Sequence, residues 1–304
     1  MYGAGSGTEV TYFNCYVMPF VPDSRGGIAD HRKEVTEIMS RGGGVGTNGS
    51  TLRPRHALVR RVNGKSSGAV SWLDDIAQLT HLVEQGGSRR GAQMIMLADW
   101  HPDILEFIIS KMQNPRILQF IKEKSTNDYI KQLVEEKLKF VFSTPSQIEM
   151  YQATVELREL SPNKVSDQAY QEAKEFLNLG GHYEVNSSDF LTGANISVAI
   201  SNDFMEAVKN NRSWNLRFPA VEEYDAEEMK AYDEEWTKIG DVREWKKMGH
   251  AVTTYRTVPA RELWQLINIC ATYAAEPGIF FIDRANDATN ATNAVAYGQK
   301  SSCY

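Results

Sequence analysis

The chain has few cysteines and no long apolar run. Its 304 residues include only three cysteines, Cys15, Cys270 and Cys303, which lie far apart and form no C-x-x-C pair. A zinc finger or a secreted disulfide framework is therefore not expected. No stretch of about 18 apolar residues is present, and the first residues lack the basic start and apolar core of a signal peptide. The sequence predicts a cytoplasmic protein that does not bind membranes.

An excess of positive charge is also missing. The 33 lysines and arginines are outnumbered by 39 aspartates and glutamates, which gives a net charge of -6. This balance argues against a general nucleic-acid binder, so any anionic ligand must be met by local arginines. The six histidines show no H-x-x-x-H or comparable spacing. We therefore predict no metal ion bound by the protein's own side chains.

Two segments rich in glycine and arginine stand out instead. The first reads RGGGVGTNGSTLRPR from Arg41 to Arg55, and the second reads EQGGSRRGA from Glu84 to Ala92. Glycine lets the backbone approach a ligand closely, so both segments are predicted to be loops that contact phosphate or ribose. Between them, apolar residues recur every three or four positions, which predicts a helix with one buried face. These residues are Val70, Leu73, Ile76, Leu79 and Val83.

Parts of two nucleotide-binding motifs occur in the sequence, but neither motif is complete in its required context. Gly44, Gly46 and Gly49 form a G-x-G-x-x-G, but that motif needs a strand before it and a helix after it. Here a helix-like run precedes the glycines, and Leu52-Arg53-Pro54 follows them. Gly64-Lys65-Ser66 is similar to the end of a P-loop, yet the first glycine of that motif would fall on a valine. Neither a Rossmann site nor a Walker ATPase is predicted.

The remaining text predicts an α/β fold. Val10 to Val21 has the bulk of a buried strand, and Gly27 to Ser40 reads as the following helix. Gln93 to Ala98 and Asn195 to Ile200 read as strands, the second leading directly into a helix. Recurring strand-helix steps predict parallel strands with helices outside. The acidic, tryptophan-rich stretch from Pro219 to Lys247 reads as a surface excursion.

Several side chains allow two interpretations each. Cys15 is either a small buried core thiol or a reactive group. Asp23 and Ser24 either bind a ligand or cap the next helix. Arg53 has a planar guanidinium that suits phosphate, although solvated surface arginines are common. His101 is predicted to be structural, as are Cys270 and the tryptophans Trp214, Trp236 and Trp245.

Six blocks of the sequence resemble, in order, the catalytic subunit of ribonucleotide reductases, most closely the adenosylcobalamin-dependent class II. They are SRGGGVGTNGSTLRPR, SSGAVSWL, EQGGSRRGAQM, DWHPDILEFI, NISVAISNDFMEAV and AEPGIFFIDRAN. The resemblance implies that residues 1–304 form a single catalytic-barrel segment, the first half of a ten-stranded α/β barrel with helices outside. It also implies an allosteric enzyme that reduces ribonucleotides to deoxyribonucleotides by radical chemistry, with the cobalt cofactor adenosylcobalamin as radical source.

The resemblance further implies roles for particular residues. Cys15 would be one of the two cysteines that are oxidised to a disulfide as the ribose is reduced. The substrate would lie beside Asn14, Gly43 and Gly44. An effector nucleotide, and the loop that couples it to substrate choice, would involve Asp23, Ser24, Arg53, Gln85, Gly86, Arg89 and Arg90.

Near residue 304 the sequence departs from the pattern of the family. In the family a segment like AYGQK is soon followed by Asn-Pro-Cys-Gly-Glu, whose cysteine carries the radical, and Cys303 lacks those flanks. The second redox cysteine, the C-terminal half barrel and the usual N-terminal segment have no counterpart either. We therefore expect a central piece of the enzyme that is inactive without a C-terminal half.

Two alternatives remain open at this point. The chain could be a catalytically dead nucleotide-binding regulatory module, or part of an iron- or manganese-dependent class I catalytic subunit. The partners expected from the resemblance are a ribonucleotide substrate, a deoxynucleotide or ATP effector, a thioredoxin-like reductant, the C-terminal half and a second copy in a homodimer.

Overall fold

The computed structural model describes Gly7 and residues 13–59, 64–85, 89–186 and 190–288. The chain divides into two compact units. One contains Met1–Met112 and Asp189–Tyr304, and the other contains Gln113–Ser188. The second unit is thus inserted into the sequence of the first.

In chain order the strands are β1 (Cys15–Val17), β2 (Gly44–Asn48), β3 (Leu58–Val59), β4 (Gly64–Lys65), β5 (Glu84–Gln85), β6 (Arg89–Arg90), β7 (Gln93–Ala98), β8 (Leu138–Phe142), β9 (Gly181–Val185), β10 (Asn195–Ile200), β11 (Ser213–Pro219), β12 (Val252–Pro259) and β13 (Gly278–Phe281). The helices are α1 (Arg25–Ser40), α2 (Ala69–Leu82), α3 (Ile104–Ile109), α4 (Pro115–Lys124), α5 (Asp128–Lys137), α6 (Pro145–Leu160), α7 (Asp167–Leu179), α8 (Asn202–Lys209), α9 (Ala226–Ala231), α10 (Thr237–Ile239), α11 (Val242–Lys247), α12 (Ala260–Ala274) and α13 (Ile282–Ala288). A π-helical turn, Tyr232–Trp236, joins α9 to α10.

The first unit is built on a five-stranded sheet in the order β1-β2-β7-β10-β13. Every neighbouring pair is parallel, which confirms the predicted α/β fold with parallel strands. The inner strands β7 and β10 are largely buried, as expected where helices cover a parallel sheet. Strand β7 has the bounds that the sequence predicts.

The glycine-rich stretch from Arg41 to Gly49 is not a loop, and that prediction was wrong. Its centre is β2, which lies between β1 and β7. Glycine is a poor strand former, but close packing here leaves little space for side chains. A Cβ at Gly49 would lie 2.7 Å from Leu73 Cδ2, and one at Gly43 would lie 2.7 Å from Ile38 Cγ2. The glycines therefore let a strand pass tightly beneath α1 and α2.

The first strand also differs from its prediction. Instead of a buried strand across Val10–Val21, the described residues form the three-residue β1, whose outer two residues are exposed. Among the described strands β1 pairs with β2 alone, so it lies at an edge of the sheet. The aromatic and β-branched residues indicated a strand, but they carry no information about which strands lie beside it in the sheet.

The helices follow their apolar spacing. In α2 the predicted residues Val70, Leu73, Ile76 and Leu79 are buried, and Val83 is partly buried against the same core. In α12 Cys270 is fully buried, which confirms its predicted structural role, whereas Tyr273, three residues later, is 60% exposed. The side chain of Ser24 caps α1 by accepting a hydrogen bond from Gly27 N at 3.0 Å.

The stretch from Pro219 to Lys247 packs into the first unit, so the predicted surface excursion was wrong. It connects the antiparallel strands β11 and β12, and its Trp236 and Trp245 are fully buried. The Trp236 ring contacts Trp245, Phe218 and Trp100 edge to face. The acidic residues of the stretch indicated an exposed segment and gave no sign of this core. The prediction that the tryptophans are packing residues is confirmed.

The second unit has its own small framework. Strands β8 and β9 form an antiparallel pair, and α6 packs against α7. A capping box between Thr144 and Gln147 begins α6, and Gly180 ends α7 in the left-handed region at φ +69°. In neither unit does a described helix have the length and apolar character needed to cross a membrane.

Candidate functional site

The residues predicted to bind substrate lie together at the amino ends of β1 and β2. Cys15 is aligned with Gly44 across the two strands, and Gly44 N donates to Asn14 O at 2.7 Å. Cys15 is a free thiol and is exposed, so the alternative of a buried core thiol does not hold. Exposed Asn14 and Cys15 thus lie at the edge strand of the sheet, beside the backbone of Gly44.

Glycine is required in this position for a steric reason. A Cβ at Gly43 would lie 2.9 Å from the ring of Tyr16, the residue after Cys15. A Cβ at Gly44 would lie 3.3 Å from Asn14 O and 3.4 Å from Ala92 O. Side chains here would push against the backbone and ring that hold Cys15 in place. The glycines at positions 43 and 44 therefore leave room for the ring and backbone that hold the Cys15 thiol.

Beyond the carboxyl ends of the same strands, two predicted effector residues form an ion pair. Arg53 Nε donates to Asp23 Oδ2 at 2.8 Å, and the backbone N of Arg53 donates to Asp23 Oδ1 at 3.1 Å. The Asp23 side chain is 7% exposed and that of Arg53 is 22% exposed. The structure thus brings together two residues that lie 30 positions apart in the sequence.

The guanidinium of Arg53 is already engaged in this arrangement. Besides Asp23, it donates from Nη1 to Leu58 O at 3.1 Å and from Nη2 to Asp23 O at 3.4 Å. Burial alone would lower the pKa of Arg53, but the charge of Asp23, supported by Tyr232 and Asp233, raises it. Arg53 is therefore a fixed cation, and contact with a phosphate would require it to exchange some of these acceptors.

The predicted coupling segment is a short hairpin. Strands β5 and β6 pair antiparallel, with Gln85 opposite Arg89 and Glu84 opposite Arg90. Gly86, also predicted at this site, lies outside the described residues. Two residues after β6, Ala92 O accepts a hydrogen bond from Val45 N at 3.0 Å. Through this hydrogen bond, Ala92 connects the end of the hairpin to β2, the strand that contains Gly44.

Sequence reasoning missed a buried carboxylate beside these elements. Asp103 accepts hydrogen bonds from Arg55 N at 3.0 Å and from Ala69 N, in the first turn of α2, at 2.9 Å. Burial raises the pKa of Asp103, and these backbone donors oppose that rise. The guanidinium of Arg55 donates from Nε to Glu106 Oε2 at 3.0 Å, while the Arg55 side chain stays 35% exposed. The available signal was the second aspartate of the DWHPD sequence, Asp99 to Asp103.

His101 has the structural role that was predicted. Its Nε2 lies 2.8 Å from Leu52 O, and its Nδ1 accepts from Asp103 N at 3.1 Å. Burial lowers the pKa of His101 to about 4, so the ring is neutral near pH 7. The carbonyl partner requires a proton on Nε2, which leaves Nδ1 as the acceptor. The ring therefore joins the end of β7 to the segment after β2.

A polar cleft opens at the carboxyl ends of β2, β7 and β10. Arg243 lines it and donates from Nη2 to Asp241 at 2.6 Å and to Asp283 at 2.8 Å. Behind it, burial raises the pKa of Asp99 to about 7, and Asp99 Oδ1 accepts no hydrogen bond from the described residues. Other lining residues are Asn48, Ser50, Trp100, Ser201 and Asn286.

No group of three or more His, Cys, Asp and Glu side chains that could hold a metal ion occurs among the described residues. The chain contributes the exposed thiol of Cys15, the ion pair between Asp23 and Arg53, and the paired strands β5 and β6.

Comparisons with known proteins identify the family of the chain. The family model described as "Ribonucleotide reductase, barrel domain" matches residues 13–298. A vitamin B12-dependent ribonucleoside-diphosphate reductase from Thermoplasma acidophilum is 43% identical over 97 residues, 32% of this chain and 12% of that protein. The protein of the same name from Mycobacterium tuberculosis is 37% identical over 110 residues, 36% of this chain and 15% of that protein.

A ribonucleoside-diphosphate reductase large subunit from Caenorhabditis elegans is 34% identical over 96 residues, 31% of this chain and 12% of that protein. The chain thus matches well under two thirds of the length of each of these relatives. The family model, in contrast, extends over nearly all of the chain, including both strand ends described above. The chain belongs to the ribonucleotide reductase barrel-domain family.

Proposed function

We propose that this chain is the thiol-bearing part of an enzyme that reduces ribonucleotides to deoxyribonucleotides for DNA synthesis. The observation that carries the proposal is the alignment of Asn14-Cys15 with Gly43-Gly44 across two parallel strands at an open edge. A substrate can reach the thiol there, and the glycine backbone offers a close approach to a ribose.

The chemistry assigned to Cys15 is one half of a dithiol reduction. Two thiols together lose two electrons and two protons, a disulfide forms, and a ribose C–OH becomes C–H with release of water. Cys15 supplies one of the two sulfurs, and the second comes from elsewhere in the complete enzyme. A thioredoxin-like protein would then reduce the disulfide. A thiol that is oxidised to a disulfide and then regenerated by another protein must be accessible, and the exposure of Cys15 supports this role.

The finer fold is part of the same proposal. We place the five parallel strands in the first half of a ten-stranded barrel, with the helices outside. Strands β1 and β13 each have one neighbour among the described strands, so both edges have room for further strands. The C-terminal half would supply those strands together with the radical cysteine, and residues 1–304 would form its catalytic partner segment.

Adenosylcobalamin is the radical source that we propose. Two relatives named as vitamin B12-dependent enzymes support it, although the matches cover about a third of this chain. The similar large subunit from Caenorhabditis elegans supports the second candidate, a metal-dependent class I enzyme. When bound, the cofactor would supply the radical, while this chain would hold the substrate and one thiol.

Allosteric control is assigned to the ion pair and the hairpin. A deoxynucleotide or ATP effector would bind near Asp23, Ser24 and Arg53, and the coupling hairpin would carry its effect toward Gly44. In the structure Ser24 caps α1, which is compatible with a ligand contact only if the cap is shared. A homodimer and a cytoplasmic location complete the proposal.

The test is reconstitution. This chain is co-expressed with a polypeptide that carries Asn-Pro-Cys-Gly-Glu, and deoxynucleotide formation is measured with a dithiol reductant. Product that requires adenosylcobalamin supports the class II proposal, and product that requires a radical-generating partner subunit supports class I. If neither source gives product while nucleotides still bind, the chain is a regulatory module.

A further inference from the structure

A tyrosine from a distant part of the chain completes the coordination of Asp23. Tyr232 lies in the π-helical turn, is 3% exposed, and donates from Oη to Asp23 Oδ2 at 2.7 Å. One turn later, Trp236 Nε1 donates to Thr51 O at 2.9 Å, two residues before Arg53. The π-helical turn therefore contacts both Asp23 and the segment that leads to Arg53, although it lies about 200 residues away from them in the sequence.

The hydroxyl matters because Asp23 is a nearly buried carboxylate. Oδ1 accepts from the backbone N of Arg53, and Oδ2 accepts from Arg53 Nε and Tyr232 Oη. A buried carboxylate needs such donors, since an unsatisfied charge in the interior is costly. Burial, followed by the charge of Asp23, raises the pKa of Tyr232 well above 10, so Oη keeps its proton and remains a donor.

Tyr232 becomes more important if Arg53 turns toward a phosphate. Arg53 Nε would then leave Asp23 Oδ2, and Tyr232 would be the side chain that still donates to that oxygen. The ring cannot easily move away, because it packs against Trp236, Trp245 and Tyr224. Asp23 would keep its orientation while Arg53 changes partner.

We propose that Tyr232 is a positioning residue of the effector site, which fixes the Asp23 carboxylate so that Arg53 can exchange it for an effector phosphate. This inference rests on the proposed effector site. The residue touches neither ligand nor reacting atoms in this scheme and acts through Asp23 alone. The π-helical turn, a rare element that often marks functional sites, is then the device that presents the hydroxyl.

The experiment compares two tyrosine variants in the reconstituted enzyme. Tyr232→Phe removes the hydroxyl and keeps the ring. Tyr224→Phe is the matched control, because Tyr224 lies in the same segment and is 4% exposed, but its hydroxyl bonds Ala251 O and Trp245 Nε1. Calorimetry measures binding of dATP, dGTP and dTTP and of the corresponding diphosphates, and thermal unfolding is followed in parallel.

We expect Tyr232→Phe to weaken binding roughly tenfold or more, the effect of losing a hydrogen bond to a charged group. Triphosphates and diphosphates should lose affinity by the same factor, because Asp23 does not contact phosphate in this scheme. Tyr224→Phe should bind like the wild type even if its melting temperature falls.

Three results would overturn the inference. Wild-type affinity in Tyr232→Phe would show that the hydroxyl is not needed. An equal loss in Tyr224→Phe would reduce both residues to packing. Failure of the wild type to bind any of the nucleotides would remove the proposed effector site itself, and the role of Tyr232 with it.

Discussion

The two ends of β1 and β2 are organised in opposite ways. At the amino end, Asn14 and Cys15 are exposed, and the opposing strand contributes glycine backbone. At the carboxyl end, Asp23 and Arg53 are largely buried and bonded to each other, and Tyr232 adds a third partner. The amino end has exposed groups that make few contacts. The carboxyl end has buried groups that are already hydrogen-bonded to each other.

This difference separates chemistry from stability. A side chain that makes few contacts can be changed with little effect on folding, so its loss is felt in turnover. A side chain within a satisfied buried network affects folding whenever it is removed, whatever it does for a ligand. Substitutions at the two ends should therefore produce different combinations of lost activity and lost stability.

The largest effect is expected at the open end. Cys15→Ser should abolish multiple turnover in the reconstituted enzyme, because the hydroxyl cannot form the disulfide, and the melting temperature should hardly change since Cys15 is exposed. Cys270→Ser is the matched control. It places a hydroxyl in a fully buried site and should cost about 1–3 kcal/mol of stability while turnover persists. Full multiple-turnover activity in Cys15→Ser would exclude the redox role.

At the engaged end, Arg53→Ala should affect both properties. It leaves Asp23 with Tyr232 as its remaining side-chain donor, and we expect a loss of about 2–4 kcal/mol in urea unfolding, below the full range for a buried pair because Arg53 is partly exposed. Deoxynucleotide binding should weaken by about 1.5–3 kcal/mol in calorimetry. Arg41→Ala, which removes an exposed pair with Glu37, should change neither property. Unchanged affinity in Arg53→Ala would remove it from the effector site.

A smaller effect is expected for the glycine beside the thiol. Gly43→Ala should cost about 1–3 kcal/mol, because the new methyl group overlaps Ile38 and Tyr16. Gly26→Ala, in the first turn of α1 with no atom within 4 Å of the added Cβ, should be neutral or stabilising by up to about 1 kcal/mol. Equal melting temperatures for the two variants would contradict the steric argument.

The smallest effect concerns pH and Asp99, which belongs to neither end. Its folded pKa of about 7 lies above the ordinary value of 3.8, so its contribution favours folding below pH 4 and is lost as the pH rises toward 7. Asp99→Asn should remove this decline and raise stability at pH 7, by a few kcal/mol at most, as measured by urea unfolding at pH 5, 6 and 7. The amide oxygen of the asparagine can take the place of Asp99 Oδ2, which accepts from Ser201 N at 2.5 Å. Destabilisation at every pH would mean that the charge is needed.

The sequence predicted the parts of the fold that local pattern determines. The buried face of α2, the bounds of β7 and the step from β10 into α8 each follow from the spacing of apolar residues. The strand β2 was missed because its glycines carry no strand signal, and the close approach of Ile38 from α1 and Leu73 from α2 is what requires glycine at Gly43 and Gly49. The packing of the stretch from Pro219 to Lys247 was missed because its acidic residues indicated a surface segment, although its tryptophans were correctly predicted to be packing residues.

The candidate site shows the same division. Family text indicated Asp23 and Arg53, and the structure joins them. The hydroxyl of Tyr232 had no local signal, because it meets Asp23 across 209 positions and lies in a stretch without apolar periodicity. Contacts of that kind depend on how the connection between β11 and β12 folds back, which spacing along the chain does not encode.

The two outer strands of the main sheet have a practical consequence for preparing the protein. Strand β1 presents exposed Val17, and β13 presents Ile279 and Phe281, each beside a row of backbone groups that no described strand covers. Such rows are templates for edge-to-edge association between copies. When expressed alone, the polypeptide should tend to aggregate through these edges. If the proposed C-terminal half covers these edges, synthesis alongside it should raise the solubility more than mixing two separately purified pieces.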